Sequence, residues 1–139
     1  MWLKLAGENG ITNAYWVLGK KSFLSKEYKA ALIWYRKGAE AKNTRCMFEL
    51  GEFCFKQLND GIEALRWYIP AADLGHYEAK KACAELYSGN TKNTKANYRQ
   101  AIKYYQLLIE QDQRDKSWNY EERIRYYKAT IQKLKLKVE

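Results

Sequence analysis

Apolar residues recur at helical spacing along this chain. The stretches "ALIWYRKGAE" (31–40), "ALRWYIPAAD" (64–73) and "AIKYYQLLIE" (101–110) share one frame, and a partial copy begins at Trp2. The apolar positions follow the steps i, i+3, i+4, i+7 and i+8, which lie on one face of an α-helix. Each copy therefore predicts a helix with one buried face, and each full copy has an aromatic structural anchor: Trp34, Trp67 and Tyr104.

A second helix fits in each unit, because successive anchors are 33 and then 37 residues apart. The stretches "NAYWVLGKKSF" (13–23) and "RCMFELGEFCF" (45–55) share a second apolar frame, and "EAKKACAELYS" (78–88) keeps part of it. Small residues in this frame allow a neighbouring helix to approach closely: Gly19, Gly51 and Ala84. The repeating unit is predicted to be an antiparallel helix pair.

A helix pair of this length cannot bury its apolar stripe alone, so copies must stack. The predicted fold is all-α, an α-solenoid of about three helix pairs with a C-terminal capping helix. The pattern predicts helices near 12–23, 27–41, 44–56, 60–74, 76–87, 96–111 and 117–139. As one repeat domain, 1–139, the chain divides into a remnant helix (1–10), three repeats (11–43, 44–76 and 77–113) and the capping helix (114–139).

The remnant at the N-terminus has no predicted partner helix. Trp2 already lies in an apolar stripe, so the helix that should pair with it is missing before Met1. We expect the chain to derive from a longer solenoid or precursor. The alternative is that the first half-repeat packs differently.

Together the two frames read A-x-x-x-L-G, a short polar loop, and A-x-x-W-Y-x-x-A-A-[ED]-x-G, as in "AYWVLG" (14–19) and "KAALIWYRKGAEAK" (29–42). This motif resembles the Sel-one-like repeat (SLR), a relative of the tetratricopeptide repeat. The resemblance implies a non-catalytic scaffold that binds another protein through the concave face of its helix pairs. As an alternative, some small bacterial members of this family are immunity proteins that neutralise a co-encoded secreted toxin, including phospholipases delivered by type VI secretion.

Pro70, the only proline, interrupts one copy of the frame, where the preceding copy has Lys37. Its ring clashes with the carbonyl of Arg66 and removes one hydrogen bond, at about 3 kcal/mol in a helix interior. The apolar stripe continues on both sides, so we expect a kinked but continuous helix that sets the curvature of the solenoid. Alternatively the helix restarts at Ile69, with Pro70 in its first turn.

Charge and composition limit the partner and the compartment. The formal charge of +9 over 139 residues suits a partner protein with an acidic surface. The positive charge is spread along the chain, so nucleic-acid binding is a less favoured alternative. No run approaches the roughly 20 apolar residues of a membrane span. No secretory signal opens the sequence, so we expect the cytoplasm, or the periplasm if a signal peptide was removed before Met1.

Candidate chemistry is sparse. His76, the only histidine, stands at a predicted helix start, where an exposed or locally hydrogen-bonded role is expected. The cysteines lack close-set metal-ligand spacing and are expected to be small core side chains: Cys46, Cys54 and Cys83. No nucleophile or phosphate-binding motif is present. We therefore predict no catalytic site, metal, cofactor or small-molecule substrate. The insertion in "SGNTKNTKAN" (88–97) predicts a surface loop.

A binding face is predicted on the first helix of each pair. In tetratricopeptide-like pairs that helix lines the concave surface, so its side chains that point away from the core should face a groove. Counting from the core positions gives Trp16, Lys20, Arg45, Phe48, Glu52, Lys81 and Glu85. Two aromatic side chains among charges is a composition typical of interface hot spots. The alternative is that Trp16 and Phe48 only pack between neighbouring units.

Overall fold

The computed structural model describes residues 7–89 and 96–138, with side chains from Thr12 onward. This part of the chain contains seven α-helices and no β-strand. The helices are α1 Gly7–Leu24, α2 Tyr28–Glu40, α3 Thr44–Lys56, α4 Gly61–Asp73, α5 Tyr77–Tyr87, α6 Tyr98–Asp115 and α7 Tyr120–Val138. The predicted all-α class is confirmed, and the bounds of α2 to α5 lie within one residue of those predicted.

The first helix begins at Gly7, earlier than the predicted residue 12. The segment "GENGI" (7–11) has no apolar stripe and contains two glycines, which are poor helix formers, so periodicity gives no sign of it. Residues 7–10 therefore belong to the first helix of the first pair and not to the end of a preceding repeat. The rest of the predicted remnant, including Trp2, lies outside the described residues, as do 90–95 of the predicted insertion loop.

Each helix packs mainly against the next helix along the chain, and α1 also contacts α3. Contacts restricted to neighbours are typical of a solenoid. The helix pairs are α1 with α2, α3 with α4, and α5 with α6, and α7 packs against α6 as the cap. The predicted α-solenoid of repeated helix pairs is thus the observed fold. None of the described helices is long and apolar enough to cross a membrane.

One hydrophobic core extends through the helix pairs into α7. Its largest enclosed side chains include one tyrosine from the second helix of each pair, exposed by 2%, 1% and 3%: Tyr35, Tyr68 and Tyr105. Trp34 and Trp67, predicted as anchors in the buried stripe, are only half-buried. Both stand at the i+3 edge of the stripe, where an indole is too large to be enclosed. The tyrosine that follows each tryptophan is the enclosed anchor, whereas Tyr104 is itself buried.

Small residues allow the predicted close approach of helices. A Cβ atom added at Gly51 would lie 2.5 Å from the ring of Tyr68, and one added at Gly19 would collide with the ring of Tyr35. In the third pair, Ala84 occupies the corresponding position and is fully buried. The contact between a glycine and a tyrosine ring therefore fixes the distance between the two helices in each of the first two pairs.

Helix α4 continues through Pro70, as predicted, and the alternative of a restart at Ile69 is wrong. Proline has no N–H group, so the carbonyl of Arg66 lacks its usual i+4 donor. At the C-terminal end of the helix, the N–H of the capping residue Leu74 donates to the carbonyl of Pro70 at 3.1 Å. The angle of the kink and its effect on curvature stay predictions.

A buried hydrogen-bond network holds α7 against α5 and α6. Asp112 of α6 is only 2% exposed. Its carboxylate accepts from the Tyr77 hydroxyl at 3.0 Å and from Nη2 and Nε of Arg123 at 2.7 and 3.3 Å. The hydroxyls of Tyr77 and Tyr127 lie 2.7 Å apart and share a further hydrogen bond. The cap is therefore fixed by polar contacts as well as by its apolar face.

Candidate functional site

Two cavities adjoin on one face of the solenoid. The first, of about 300 Å³, is formed by α1, α2 and α3, and its lining includes Lys20, Tyr28, Phe48, Glu49, Phe53 and Gln57. The second, of about 340 Å³, is formed by α3 to α7, and its lining includes Phe55, Tyr68, Ala82, Glu85, Tyr105 and Tyr126. Glu52 and Lys56 line both cavities. The two cavities together are called the groove below.

The groove contains four of the seven predicted partner-binding residues: Lys20, Phe48, Glu52 and Glu85. They come from α1, α3 and α5, the first helix of each pair. Trp16 and Arg45 line neither cavity. Lys81 lines a separate cavity of about 360 Å³ between α5, α6 and the start of α7. Every first helix thus contributes to the groove, but only some of the side chains predicted on those helices line it.

Trp16 and Arg45 contact each other. The guanidinium carbon of Arg45 lies 5.0 Å from the centroid of the Trp16 ring, a cation–π geometry. The Trp16 side chain is half-buried against the core. These contacts favour the structural alternative for Trp16.

Phe48 combines packing with lining of the groove. Its ring centroid lies 5.6 Å from that of Tyr68 and 4.9 Å from that of His76, so it bridges α4 and the start of α5. The ring is half-buried and still lines the first cavity. A partner that reached Phe48 would therefore meet an aromatic surface already held in place by its neighbours.

Glu52 is the polar centre of the groove. Its Oε1 accepts a hydrogen bond from the Tyr68 hydroxyl at 2.7 Å, and its Oε2 lies 2.6 Å from Nζ of Lys56. The hydrogen bond to Glu52 raises the pKa of Lys56. Burial, followed by the hydrogen bond to Glu52, raises the pKa of Tyr68 well above its usual range. Because both oxygens are engaged, the carboxylate is held at the junction of the two cavities.

The first pair carries a different residue at the same place. Lys20 follows Gly19 as Glu52 follows Gly51, and it pairs with Glu49 at 3.7 Å. A lysine cannot accept a hydrogen bond, and within the described residues the buried hydroxyl of Tyr35 has no hydrogen-bond partner. Burial raises the pKa of Tyr35 above its usual range, with Glu49 as a second cause. The first cavity therefore has a buried hydroxyl without a hydrogen-bond partner among the described residues, whereas the hydroxyl of Tyr68 donates to Glu52.

Glu85 supplies the acidic side chain of the third pair. Glu85 is exposed to solvent, and partial desolvation of its carboxyl beside the protein is the first cause that raises its pKa; Lys81 opposes that shift, and Glu78 and Glu52 add to it. The carboxylate makes no hydrogen bond or ion pair within the described residues. Glu85 is therefore a charged group in the groove whose charge is not neutralised by direct contact.

Several residues that line the groove were not among those predicted from the sequence. Phe55 and Lys56 lie one turn beyond Glu52 on α3, so extending the same count by one turn would have found them. Tyr126 comes from the capping helix, where it adjoins the buried Tyr127. No periodic signal could have placed Tyr126 beside α3, because that proximity depends on how α7 folds back over the last pair.

The cysteines and the histidine of the described residues are engaged in the fold. Burial is the first cause that raises the pKa of the Cys46 and Cys83 thiols to about 12, so neither is a nucleophile at neutral pH. His76 caps α5, with its Nδ1 accepting from the N–H of Ala79 at 3.1 Å, which confirms the predicted local role. Cys46, Cys54 and Cys83 are free and buried, as expected for core side chains. No group of three or more metal-ligating side chains occurs in the part of the chain that the structure describes.

The comparison with protein families concerns the repeats themselves. The model of the Sel1 repeat matches residues 18–43, 44–76 and 81–113. The chain belongs to the Sel1 repeat family. Membership implies a protein–protein interaction module, and the family is generally a non-catalytic scaffold. A comparison with curated proteins found no significant match.

Among solved structures, this Sel1 repeat protein is similar to c5321, described as a protective antigen present in uropathogenic Escherichia coli strains and displaying an SLR fold. The TM-score is 0.63 at 20% sequence identity. The match covers 95% of this chain and 31% of that one, so this chain spans about a third of the length of c5321. At this identity the likeness shows the fold alone.

Proposed function

We propose that this Sel1 repeat protein binds a segment of a partner protein in the groove. The observation that carries the proposal is the continuity of the two cavities through Glu52 and Lys56, which joins side chains from the first helix of all three pairs along one groove. Aromatic side chains beside charged ones give such a surface both apolar contact area and specificity. The long face suits an extended or helical segment better than a small molecule.

Two side chains that line the groove are held in place by their neighbours, which supports a role in binding. Glu52 is held by two partners, and Phe48 is held between two rings. Groups that are fixed before a partner arrives lose little conformational freedom on binding, which favours affinity.

Site-specific photo-crosslinking tests the proposal. A benzoylphenylalanine replaces Gln57, which is exposed and lines the first cavity, or Arg66, which is exposed on α4 and lines no described cavity. In cells of the source organism, the Gln57 probe should crosslink a defined partner and the Arg66 probe should not. Crosslinking from Arg66 alone, or equally from both positions, would contradict the proposal.

Phe48→Ala then measures the contribution of the groove. Because Phe48 also packs on Tyr68 and His76, capture of the crosslinked partner is expressed per folded molecule and compared with the melting temperature. The matched control is Trp67→Ala, a half-buried aromatic of α4 outside the groove. Selective loss of capture in Phe48→Ala is expected. A large loss of stability with capture intact per folded molecule would refute a role of Phe48 in binding.

The identity of the partner decides between the general scaffold and the narrower alternatives. A secreted toxin encoded next to this chain would make it an immunity protein. A nucleic acid would instead bind with an affinity that falls steeply as salt rises, whatever its sequence. The same crosslinking experiment also identifies the compartment in which the partner is met.

A further inference from the structure

We propose that the second cavity of the groove binds an arginine side chain of the partner protein. The proposal rests on the function proposed above and names the partner chemistry that this part of the groove recognises. A guanidinium there would lie among aromatic rings and next to two carboxylates.

The first argument is the charge of the cavity. Its charged lining side chains are Glu52, Glu85 and Lys56, so it carries one more negative than positive charge, although the chain as a whole carries +9. Lys56 is already paired with Glu52 at 2.6 Å. The carboxylate of Glu85 remains without a direct partner in the described part of the chain. A cation is the ligand that neutralises it, whereas a carboxylate from an acidic partner segment would be repelled.

The second argument is the aromatic lining. Phe55, Tyr68, Tyr105 and Tyr126 line the cavity together with the two glutamates. Tyr126 is 62% exposed and Phe55 is half-buried, so these two rings have surface available to a ligand, while Tyr68 and Tyr105 form the enclosed floor. Cations bind favourably over the faces of aromatic rings, and arginine does so more often than lysine.

The third argument is an arginine site elsewhere in the same molecule. Arg123 donates to the buried carboxylate of Asp112 at 2.7 Å, and its guanidinium carbon lies 5.8 Å from the centroid of the Tyr77 ring. Tyr127 completes that site through its hydroxyl. The second cavity presents the same combination, a carboxylate with tyrosines, but the described residues provide no arginine to fill it.

The probe for the test is N-acetyl-arginine N-methylamide, titrated into the whole chain and followed by the ring resonances of Tyr126 and Phe55 in NMR spectra. The neutral isostere is the citrulline derivative, which keeps the shape and removes the charge. Tetramethylammonium chloride is the third ligand, and it separates a partner's arginine from a small quaternary ammonium compound. We expect saturable shifts with the arginine probe and none with the citrulline probe at equal concentration.

Glu85→Gln removes the negative charge with little change in shape, and we expect it to weaken binding of the arginine probe roughly tenfold, because a charge-assisted hydrogen bond is replaced by a weaker neutral one. The matched control is Glu78→Gln on the same helix, because Glu78 lines the separate α5–α6 cavity. This control should bind the probe as the unmodified chain does.

Four results would overturn the proposal: no saturable binding of the arginine probe, equal binding of the citrulline probe, tighter binding of tetramethylammonium than of arginine, or no effect of Glu85→Gln. The arginine probe can fail to bind while the probe at Gln57 still crosslinks a partner in a way that depends on Phe48. That pair of results would refute the arginine site and leave the proposed function standing. Binding of the probe without any crosslinked partner would instead refute the proposed function and leave a site for small cations.

Discussion

Arg123→Ala should destabilise the protein more than Asp112→Ala, although the two side chains form one ion pair. Asp112 is 2% exposed, whereas the side chain of Arg123 is 29% exposed. Without Arg123, the buried carboxylate keeps only the Tyr77 hydroxyl as a donor, and breaking a buried pair in this way costs about 3–5 kcal/mol. Without Asp112, the guanidinium reaches water and still donates to Ser117 Oγ at 2.7 Å. That lowers the expected loss to about 2 kcal/mol.

Urea denaturation followed by circular dichroism measures both losses and that of the double variant. The double variant should lose less than the sum of the single variants, because a buried carboxylate is no longer left alone. Arg125→Ala is the control, since Arg125 is exposed on the same helix and its removal should change stability by about 0.5 kcal/mol at most. Equal losses in the two single variants, or additive losses in the double variant, would refute the reasoning.

Three further predictions concern other buried contacts. Burial lowers the pKa of His76 below 6.5, with Arg45 adding to the shift and Glu78 opposing it. As the pH falls, the imidazole is therefore protonated in the unfolded chain before it is protonated in the folded chain. The free energy of unfolding should fall as the pH drops below about 6.5, and it should fall less in His76→Asn. Gly51→Ala should lower the urea midpoint, by about 1–2 kcal/mol in stability, because the collision with the Tyr68 ring exceeds the gain in helix propensity. An alanine that stabilised would contradict this packing. A thiol reagent at mildly alkaline pH should label no thiol in the folded chain and all three in denaturant, and labelling of the folded chain would contradict the burial of Cys46, Cys54 and Cys83.

The helices could be predicted from the sequence because burial on one face imposes a period that is visible without tertiary information. The bounds of α2 to α5 followed from the apolar frame and the polar loops between its copies. The frame could not show which aromatic of each Trp-Tyr pair would be enclosed. Tyr68 is enclosed because its ring lies over Gly51 of the preceding helix, and that contact joins residues 17 positions apart.

The groove was predicted less completely, for a different physical reason. Lys20, Glu52 and Glu85 were found because they occupy one register on successive first helices. Trp16 was chosen by the same kind of count, but its ring contacts Arg45 and does not line the groove, and a contact between two side chains cannot be read from register alone. Tyr126 belongs to the cap, outside the repeat, so no repeat-based count could include it.

The same local arrangement packs the two helices of a pair and places a charged side chain in the groove. In the second pair, Gly51 receives the ring of Tyr68, and the hydroxyl of that ring holds the next residue, Glu52, in the groove. In the first pair, Gly19 receives Tyr35 in the same way, but the next residue is Lys20, which carries the opposite charge. Exchange of the residue after the glycine therefore changes the charge of the groove without changing the contact that sets the helix spacing. Under the proposed function, the charge that the groove offers to a partner is set at Lys20 and Glu52, while the glycine–tyrosine contacts of the core stay constant.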